Sequence, residues 1–345
     1  MFRVIYRIIA FLPSDIFKTI IRRILILIPQ LFILSVIMFL LAQAMPGDAL
    51  RGFITPDMTT ADVERIRELR GLNDPWYLQY GRWMRAVLIE GDLGRSNTGI
   101  NVTRVIGDRI GNTMRLSFLT TLFTYMIAIP LGILAGRKHD KMPDKVIMIY
   151  TFIALSMPTI VISLINLLIF AFGLNWFPIS GSVDIQVAGR AMAEGSGFAQ
   201  QIAYIWSRIH HLILPAITLA LISTVGIIYY LRSEIIDYEN SDFVLTARSK
   251  GVPENKIYSN HILRNASLPV ASGIGFVIAG LFSGSIFIEW IFGYPGMGEL
   301  FLTSINSRDF PVANVLIMFY AILTVVAITV SDIVISIVDP RIRIK

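Results

Sequence analysis

The 345-residue chain contains no cysteine, and only 16% of its residues are charged. Without cysteine it can form no disulfide, thiolate metal site or cysteine nucleophile. Soluble domains average about 25% charged residues, so this composition is atypical of a soluble protein. Glycine-rich phosphate-binding loops and the common hydrolase and metalloprotease motifs are also missing from the sequence. We therefore expect no catalysis, no cofactor and no metal site in this chain.

Long apolar blocks make up much of the sequence. Hydrophobic residues make up 54% of the chain, and the mean hydropathy is +0.66. Six blocks contain no charged residue or histidine, and each has about the 20 residues that cross a bilayer. Lipid offers no hydrogen bonds to the backbone, so each block is predicted to be helical and the chain an all-α membrane protein. The six predicted transmembrane helices cover residues 24–44, 116–135, 146–172, 212–231, 268–288 and 312–331.

Basic residues are distributed unevenly between the loops. With the N-terminus in the cytoplasm, the inner segments carry seventeen Lys and Arg, and the outer loops 173–211 and 289–311 carry three. This asymmetry follows the positive-inside rule. Loop 45–115 carries ten Arg, but loops longer than about 60 residues translocate largely regardless of charge. The excess of Lys and Arg on the cytoplasmic side thus explains the net charge of +6, and no nucleic-acid partner is expected.

The blocks divide the chain into four predicted parts. Residues 1–23 are a cytoplasmic amphipathic segment, and residues 24–44 are the first transmembrane helix. Residues 45–115 form an extracytoplasmic loop domain. Residues 116–345 form the core with helices two to six, and the cytoplasmic loop 232–267 lies within it.

Two of these parts carry local helix signals. Apolar residues recur at helical spacing before Pro13, which predicts a helix on the inner leaflet; a flexible tail is the alternative. In the loop domain, Thr59 followed by Asp62 and Glu64 predicts a capped helix start. The aromatic-rich stretch around Trp76 predicts a segment at the membrane–water interface.

Several residues inside the blocks have two interpretations. Asn166, Ser272 and Ser283 could line a translocation path or could stabilise helix packing. Pro29, Pro130 and Pro158 mark either kinks that move during gating or fixed bends needed for packing, since proline is frequent in membrane helices.

Two further polar features lie in the outer loops. Glu289 is either a structural counter-charge or part of a substrate entry. His210 and His211 are adjacent, so they cannot share a helix face. In addition, no carboxylate follows them at the spacing of metal ligands. We therefore expect a solvated interfacial pair of histidines rather than a metal site.

The polar segments carry a set of recognisable motifs. They are Phe243-Val-Leu-Thr-Ala-Arg-Ser-Lys-Gly251 with Arg264-Asn-Ala-Ser-Leu-Pro269, Leu72-Asn-Asp-Pro-Trp-Tyr-Leu-Gln-Tyr-Gly-Arg-Trp83 with Gly91-Asp-Leu-Gly-Arg-Ser96, Leu174-Asn-Trp-Phe-Pro-Ile-Ser-Gly181, Glu289-Trp-Ile-Phe-Gly-Tyr-Pro-Gly-Met-Gly298, and Asp339-Pro-Arg341. Together they resemble the permease subunits of oligopeptide, dipeptide and nickel ABC importers, especially the first, B-type, permease. Leu245 stands where the broader superfamily has Glu, a replacement common in the peptide subfamily.

The resemblance implies a pore subunit of a binding-protein-dependent importer. The family pairs two similar permeases with two cytoplasmic ATPase subunits and an extracytoplasmic peptide-binding protein. ATP and magnesium would bind to the ATPases. The complex would lie in a bacterial cytoplasmic membrane, with both termini of this chain inside. The expected substrate is an oligopeptide, and nickel, glutathione and haem are alternatives because their importers share the permease pattern.

The resemblance also assigns a coupling role to loop 232–267. The implied ATPase-coupling residues are Phe243, Thr246, Ala247, Arg248, Lys250 and Gly251. Gly251 would end the docking helix in a conformation that glycine adopts easily. Arg248, Lys250 and Lys256 would face acceptors on the ATPase. A solvated loop that contacts only lipid headgroups is the alternative.

Two other functional classes remain open. A stand-alone secondary transporter or channel usually places ionisable residues at mid-membrane depth, which the six blocks lack. A membrane scaffold or sensor subunit would bind the same partners without transport. Co-purification with an ATPase would separate the importer subunit from the stand-alone transporter.

Overall fold

The computed structural model describes residues 14–44, 58–69, 73–193, 197–267, 270, 273 and 285–338. These ranges are almost entirely helical, and their extended pairing is limited to an isolated bridge between Arg95 and Asn101. In chain order the helices are α1 Ser14–Ala44, α2 Thr60–Leu69, α3 Trp76–Arg85, α4 Val102–Arg137, α5 Met142–Ser156, α6 Thr159–Asn166, α7 Ile185–Met192, α8 Phe198–Glu239, α9 Asp242–Ser249, α10 Glu254–Ile257, α11 Leu263–Ala266, α12 Met297–Asn306 and α13 Phe310–Val338. Wider π-helical turns follow α3, α6 and α10, at Ala86–Glu90, Leu167–Gly173 and Tyr258–Ile262.

Three of the described helices are long and apolar enough to cross a membrane. They are α4, α8 and the Pro311–Ser331 part of α13, while the apolar part of α1, Leu25–Leu41, is shorter. Most of the fifth predicted block, 268–288, and residues 1–13 of the amphipathic segment lie outside the described residues. The all-α prediction is therefore confirmed, and the count of six spans stays a prediction.

The third apolar block, predicted for residues 146–172, is bent at Pro158. α5 ends at Ser156, and it is bent by 108° from the helical stretch Thr159–Gly173. Pro158 separates the two because it has no N–H to donate and disfavours a helical conformation in the residue before it. Met157 accordingly has an extended backbone, with φ −89° and ψ 131°. The bend lies at the proline that the sequence marked as a kink or a fixed bend, and the block consists of two helical stretches.

The long helices α4 and α8 pack closely against each other. Gly132 and Gly136 permit this approach. A Cβ at Gly132 would lie 2.9 Å from Leu231 Cβ, and a Cβ at Gly136 would lie 2.8 Å from Ile235 Cβ. Small residues are the usual means by which membrane helices come close together. The two glycines therefore set the distance between the helices at the centre of the described structure.

Glu289 is wholly buried next to the start of α12. Its Oε1 accepts a hydrogen bond from Thr113 Oγ1 (2.8 Å), and its Oε2 accepts from the backbone N–H groups of Gly298 (2.6 Å) and Glu299 (3.2 Å). The carboxyl group therefore caps the N-terminus of α12, where free N–H groups favour negative charge. A Cβ at Gly296 would collide with it. These contacts fit a structural counter-charge, one of the two interpretations of Glu289.

The described part of the loop between the first two blocks contacts α1. Tyr80 on α3 shares a hydrogen bond with Ser35 Oγ (2.7 Å), and its ring centroid lies 5.5 Å from that of Phe39. At the start of α2, the hydroxyl and the N–H of Thr59 donate to the Asp62 carboxylate and lower its pKa, and the N–H of Asp62 donates back to Thr59 Oγ1 in a capping box. Both features agree with the helix signals in the sequence, while a separate loop domain stays a prediction.

We expect Gly136→Ala to destabilise the protein and Gly107→Ala to leave it as stable or slightly more stable. Both glycines lie in α4, where alanine is favoured over glycine by about 1 kcal/mol. At Gly136 the new methyl group would overlap Ile235, and overpacking costs about 1–3 kcal/mol. At Gly107 no atom lies within 4 Å. Thermal unfolding in detergent measures both variants, and equal melting temperatures would contradict the role of Gly136.

Candidate functional site

A short helix, α9, follows the end of α8. Ser241 precedes the helix, and the chain leaves it through a Schellman turn. In that turn the N–H of Gly251 donates to Arg248 O (2.9 Å), and the N–H of Val252 donates to Ala247 O (3.2 Å). Gly251 has a φ of +74°, a left-handed conformation that glycine adopts at little cost. This is the geometry expected of a glycine that ends a helix.

One face of α9 is buried against its own chain. Val244 and Ala247 pack in a cluster with Ile235 of α8 and with Ile257 and Ile262 of the following turns. Ala247 is only 8% exposed. The sequence placed Ala247 among the residues that would contact an ATPase, but the structure gives it a different position, in which it seats α9 on α8.

Arg248 joins the parts of the loop by hydrogen bonds within the chain. Its Nε donates to Glu254 Oε1 (2.8 Å), and its Nη2 lies 3.5 Å from Glu239 Oε1, which also accepts from Tyr258 Oη (2.7 Å). The bond to Glu254 raises the pKa of Arg248, and burial together with the bond to Glu239 raises the pKa of Tyr258 to about 12. Arg248 therefore already has partners in its own chain and stiffens the loop.

The loop also contacts the end of α4. The guanidinium of Arg137 lies 4.6 Å from the centroid of the Tyr258 ring, and its Nη2 donates to Asn255 Oδ1 (3.2 Å). A cavity of about 190 Å³ lies between these residues and Ile133. The ends of α4 and α8, together with α9 and α10, thus form one connected unit, which we call the loop unit (residues 133–137 and 235–262).

The other face of α9 is exposed and carries two large apolar side chains. Phe243 is 39% exposed and Leu245 is 51% exposed. Thr246 and Lys250 are also exposed, and Lys250 makes no ion pair with any residue that the structure describes. Large apolar side chains outside the membrane spans, set among polar residues, are typical of a protein-binding surface. Four of the six implied coupling residues, including Gly251, are therefore accessible together with Leu245.

The residues predicted for a translocation path lie elsewhere. Asn166 at the end of α6 donates from Nδ2 to Thr218 Oγ1 on α8 (3.1 Å). This interhelical bond fits the packing interpretation of Asn166. Ser272 and Ser283 lie outside the described residues. Of the three, only Asn166 is among the described residues, and its printed partner lies on α8 rather than in the loop unit.

One group of side chains has the composition of a metal site. The ligand atoms of His139, Asp140 and Asp144 lie within 4.8 Å of one another. Arg232 occupies the centre of this group, however. Its Nε and Nη2 donate to the Asp144 carboxylate (2.6 and 2.8 Å), and its Nη2 is 2.9 Å from His139 Nδ1. A cation in this position would meet the guanidinium, so the group is an ion-pair network that links the α4–α5 turn to α8.

The adjacent histidines bind to separate neighbours. His210 Nε2 lies 2.7 Å from Trp176 O, and its ring stacks on that of Trp206. His211 Nδ1 lies 2.8 Å from Ser207 O. Each ring is therefore held by a contact with its own neighbour, on α8 or in the segment before it.

Comparison with known proteins places these features in a family. Residues 128–344 match the binding-protein-dependent transport system inner membrane component, and residues 16–117 match the N-terminal region of the same type of membrane component. A chain of the inward-facing methionine ABC transporter MetNI has a similar structure, with a TM-score of 0.53 and 13% identity over 68% of this chain and 96% of that chain. At this identity the likeness concerns the fold alone.

Curated relatives match along almost their full length. The chain is 37% identical to the oligopeptide transport system permease protein AppB of Bacillus subtilis, over 94% of this chain and 98% of the relative. It is 31% identical to the dipeptide transport system permease protein DppB of Lactococcus lactis, over 95% and 99%. It is 29% identical to the glutathione transport system permease protein GsiC of Escherichia coli, over 94% and 99%.

The family matches cover most of the chain, and the apolar helices agree with a multi-pass protein of the inner membrane. Membership implies ATPase and binding-protein partners, and it gives the chain a transport role rather than an enzymatic one. The chain belongs to the binding-protein-dependent transport system inner membrane components, the permease subunits of ABC importers.

Proposed function

We propose that this chain forms half of a pathway that imports peptides, with oligopeptides as the main substrate. The match along almost the whole chain to permeases named for oligopeptide and dipeptide transport carries the proposal. Glutathione, named for a third relative, is itself a short peptide. Peptide transport therefore accounts for all three names, whereas nickel and haem would need a different chemistry.

The proposed complex contains a second homologous permease, two ATPase subunits and an extracytoplasmic peptide-binding protein. ATP and magnesium bind to the ATPases, and this chain contributes no cofactor site. Six transmembrane helices place both termini in the cytoplasm of a bacterial cell. Loop 232–267 and the α4–α5 turn then lie on the cytoplasmic side, where the loop unit meets an ATPase.

The loop unit supplies a physical route for coupling. Phe243, Leu245, Thr246 and Lys250 form the contact face on α9, and Gly251 ends it. Because Val244 and Ala247 are buried and Arg248 bonds to Glu254, α9 moves as part of a rigid unit. α8 is continuous over 42 residues, about 63 Å, so a displacement of α9 acts on the membrane-spanning region through an unbroken helix.

Reconstitution tests the proposed substrate. We expect vesicles that contain the complete importer to accumulate a labelled oligopeptide when ATP and loaded binding protein are present. An excess of unlabelled oligopeptide should compete with this uptake, while nickel should not. Vesicles that contain this chain alone should take up no peptide. Uptake by the chain alone, or inhibition by nickel and not by peptide, would contradict the proposal.

We expect Leu245→Glu to weaken binding to the ATPase about 30-fold, since a buried interface anchor contributes about 2 kcal/mol or more. The side chain is 51% exposed, so folding of the isolated chain should not change. Met142→Glu is the control, because it also replaces an exposed apolar side chain by Glu, at the start of α5 and outside the loop unit. Co-purification and ATP-driven uptake measure both variants. Normal uptake by Leu245→Glu at wild-type abundance would exclude α9 as the docking helix.

The proposed topology can be tested because the chain has no cysteine. A cysteine at Asn73 should react with an impermeant thiol reagent added to intact cells. A cysteine at Lys138, in the α4–α5 turn, should react only after the membrane is permeabilised. Both residues are exposed in the structure and lie away from α9, so the difference reports sidedness and not burial. The reverse pattern would invert the topology.

A further inference from the structure

Two arginine side chains meet at one end of the packed helices α4 and α8. Arg115 Nη1 donates to Asn112 Oδ1 (2.9 Å), and Arg208 Nη2 donates to the same oxygen atom (3.2 Å). The amide of Asn112 is held in this orientation because its Nδ2 donates to Pro295 O (2.8 Å). We call Arg115 and Arg208 the arginine pair. Two positive charges therefore converge on one neutral oxygen atom.

Among the residues that the structure describes, no carboxylate forms an ion pair with either guanidinium of the arginine pair. The acidic side chains of the adjoining cap have other partners. Glu289 accepts from the N–H of Gly298, and Glu299 pairs with Arg109. Like charges that meet without an anion between them repel each other, and arginine binds carboxylate and phosphate oxygens in bidentate geometry. The arrangement is therefore that of an anion site.

The arginine pair lies at the level where two apolar spans begin. Arg115 directly precedes the charge-free block 116–135 of α4, and Arg208 lies one turn before the block 212–231 of α8. Arg115 is exposed and Arg208 is partly exposed. The Arg115 side chain folds back over the preceding turn of α4, where its Nη2 would lie 3.6 Å from a Cβ at Gly111. The charges therefore lie at the level of the lipid headgroups, just outside the hydrocarbon core.

An exposed apolar face continues from Arg115 into the span of α4. Phe118, Leu122 and Met126 follow Arg115 at spacings of three, seven and eleven residues, so the four share one face of the helix. All three apolar side chains are exposed, Phe118 by 73%. A charged group above an apolar face matches the two parts of a phospholipid, whereas a free anion would need only the charge. The ring centroid of Tyr204 lies 5.4 Å from the other guanidinium and adds an aromatic side chain at headgroup level.

We propose that the arginine pair binds the phosphate of a membrane phospholipid whose acyl chain lies along the exposed face of α4. An anionic lipid such as phosphatidylglycerol fits better than phosphatidylcholine, because the choline cation would lie close to the two guanidinium groups. The bound phosphate supplies the missing negative charge and bridges α4 and α8 at the end away from α9. It therefore stabilises the contact between the two helices. The inference does not depend on which substrate is transported.

Quenching next to the arginine pair measures lipid binding in the complete importer. A dye on Met114→Cys, in a complex whose partners also lack cysteine, reports nitroxide-labelled lipid beside α4 in phosphatidylcholine nanodiscs. We expect labelled phosphatidylglycerol to quench this dye more than the same amount of labelled phosphatidylcholine. Arg115→Gln and Arg208→Gln should each weaken that preference by about tenfold, the usual effect of one lost hydrogen bond between charged groups.

Arg190→Gln is the matched control for the loss of charge. It removes a guanidinium from an exposed position on α7, outside the arginine pair, and should leave the preference unchanged. Two further measurements identify the source of the phosphate. Phe118→Ala keeps both arginines and should weaken lipid binding, and an excess of inorganic phosphate should not displace the lipid. Displacement by inorganic phosphate, without an effect of Phe118→Ala, would show a free-anion site and overturn the proposal.

Thermal unfolding separates an anion site from a structural hydrogen bond to Asn112. Phosphatidylglycerol should raise the melting temperature of the wild-type complex above its value in phosphatidylcholine, because a ligand stabilises the state that binds it. It should not raise that of the Arg115→Gln/Arg208→Gln double variant. In phosphatidylcholine alone the double variant should be at least as stable as the wild type, since a repulsion is removed.

Three results would contradict the inference. Equal loss of stability of the double variant in both lipids would show that the arginines act only through Asn112. An unchanged lipid preference in both Gln variants would exclude the arginine pair as a lipid site. Dissociation of the second permease or of the binding protein from these variants, with lipid quenching unchanged, would assign the arginine pair to a carboxylate of that partner. None of these measurements uses transport, so a failure of the peptide-import proposal is distinguishable from a failure here.

Discussion

The close contact between α4 and α8 is the constraint on which the rest of the described structure depends. Gly132 and Gly136 bring the two backbones together, and a methyl group at either position would overlap Leu231 or Ile235. The same α4 is bonded through Thr113 to the outer cap at Glu289. The same α8 leads directly to α9. The tight contact between α4 and α8 therefore connects the segment around Glu289 with α9. Such a connection allows a displacement at one end of the two helices to reach the other.

Three ion pairs hold together segments that connect the apolar blocks in the described structure. Asp144 binds Arg232, Arg109 binds Glu299, and Arg248 binds Glu254. Unpaired charge near lipid is costly, and pairing removes much of that cost while it fixes the geometry of the turns. Arg248 shows one consequence, because its acceptors within the chain hold α9 in place. In the proposed coupling to an ATPase, recognition of that partner would rest on the exposed apolar and polar side chains of α9.

The sequence was sufficient for features that depend on local chemistry. Helical blocks, the capping box at Thr59 and the glycine-ended helix at Gly251 all follow from residue types within one or two turns. Contacts between distant segments were not predictable, because a single sequence does not reveal which helices meet. The burial of Ala247 against Ile235 and the cap that Glu289 forms with Thr113 are of this kind. The six spans and the substrate path were inferred from composition and resemblance, and the described residues do not test them.

The prolines show why such distant contacts decide local structure. Pro130 and Pro215 lie inside continuous helices, whereas the chain breaks at Pro158. Each has the same missing N–H, so local chemistry does not separate them. The residues around each proline differ in burial. Pro130 is flanked by buried Ala128 and Gly132, and Pro215 by buried Leu214 and Ala216. Around Pro158, none of residues 155–162 is buried. A helix continues through proline where the residues beside the proline are packed, and it bends at Pro158, where they are not. Both halves of the third block contact α8 elsewhere, so the packing next to the proline, and not the presence of a partner helix, separates the two cases.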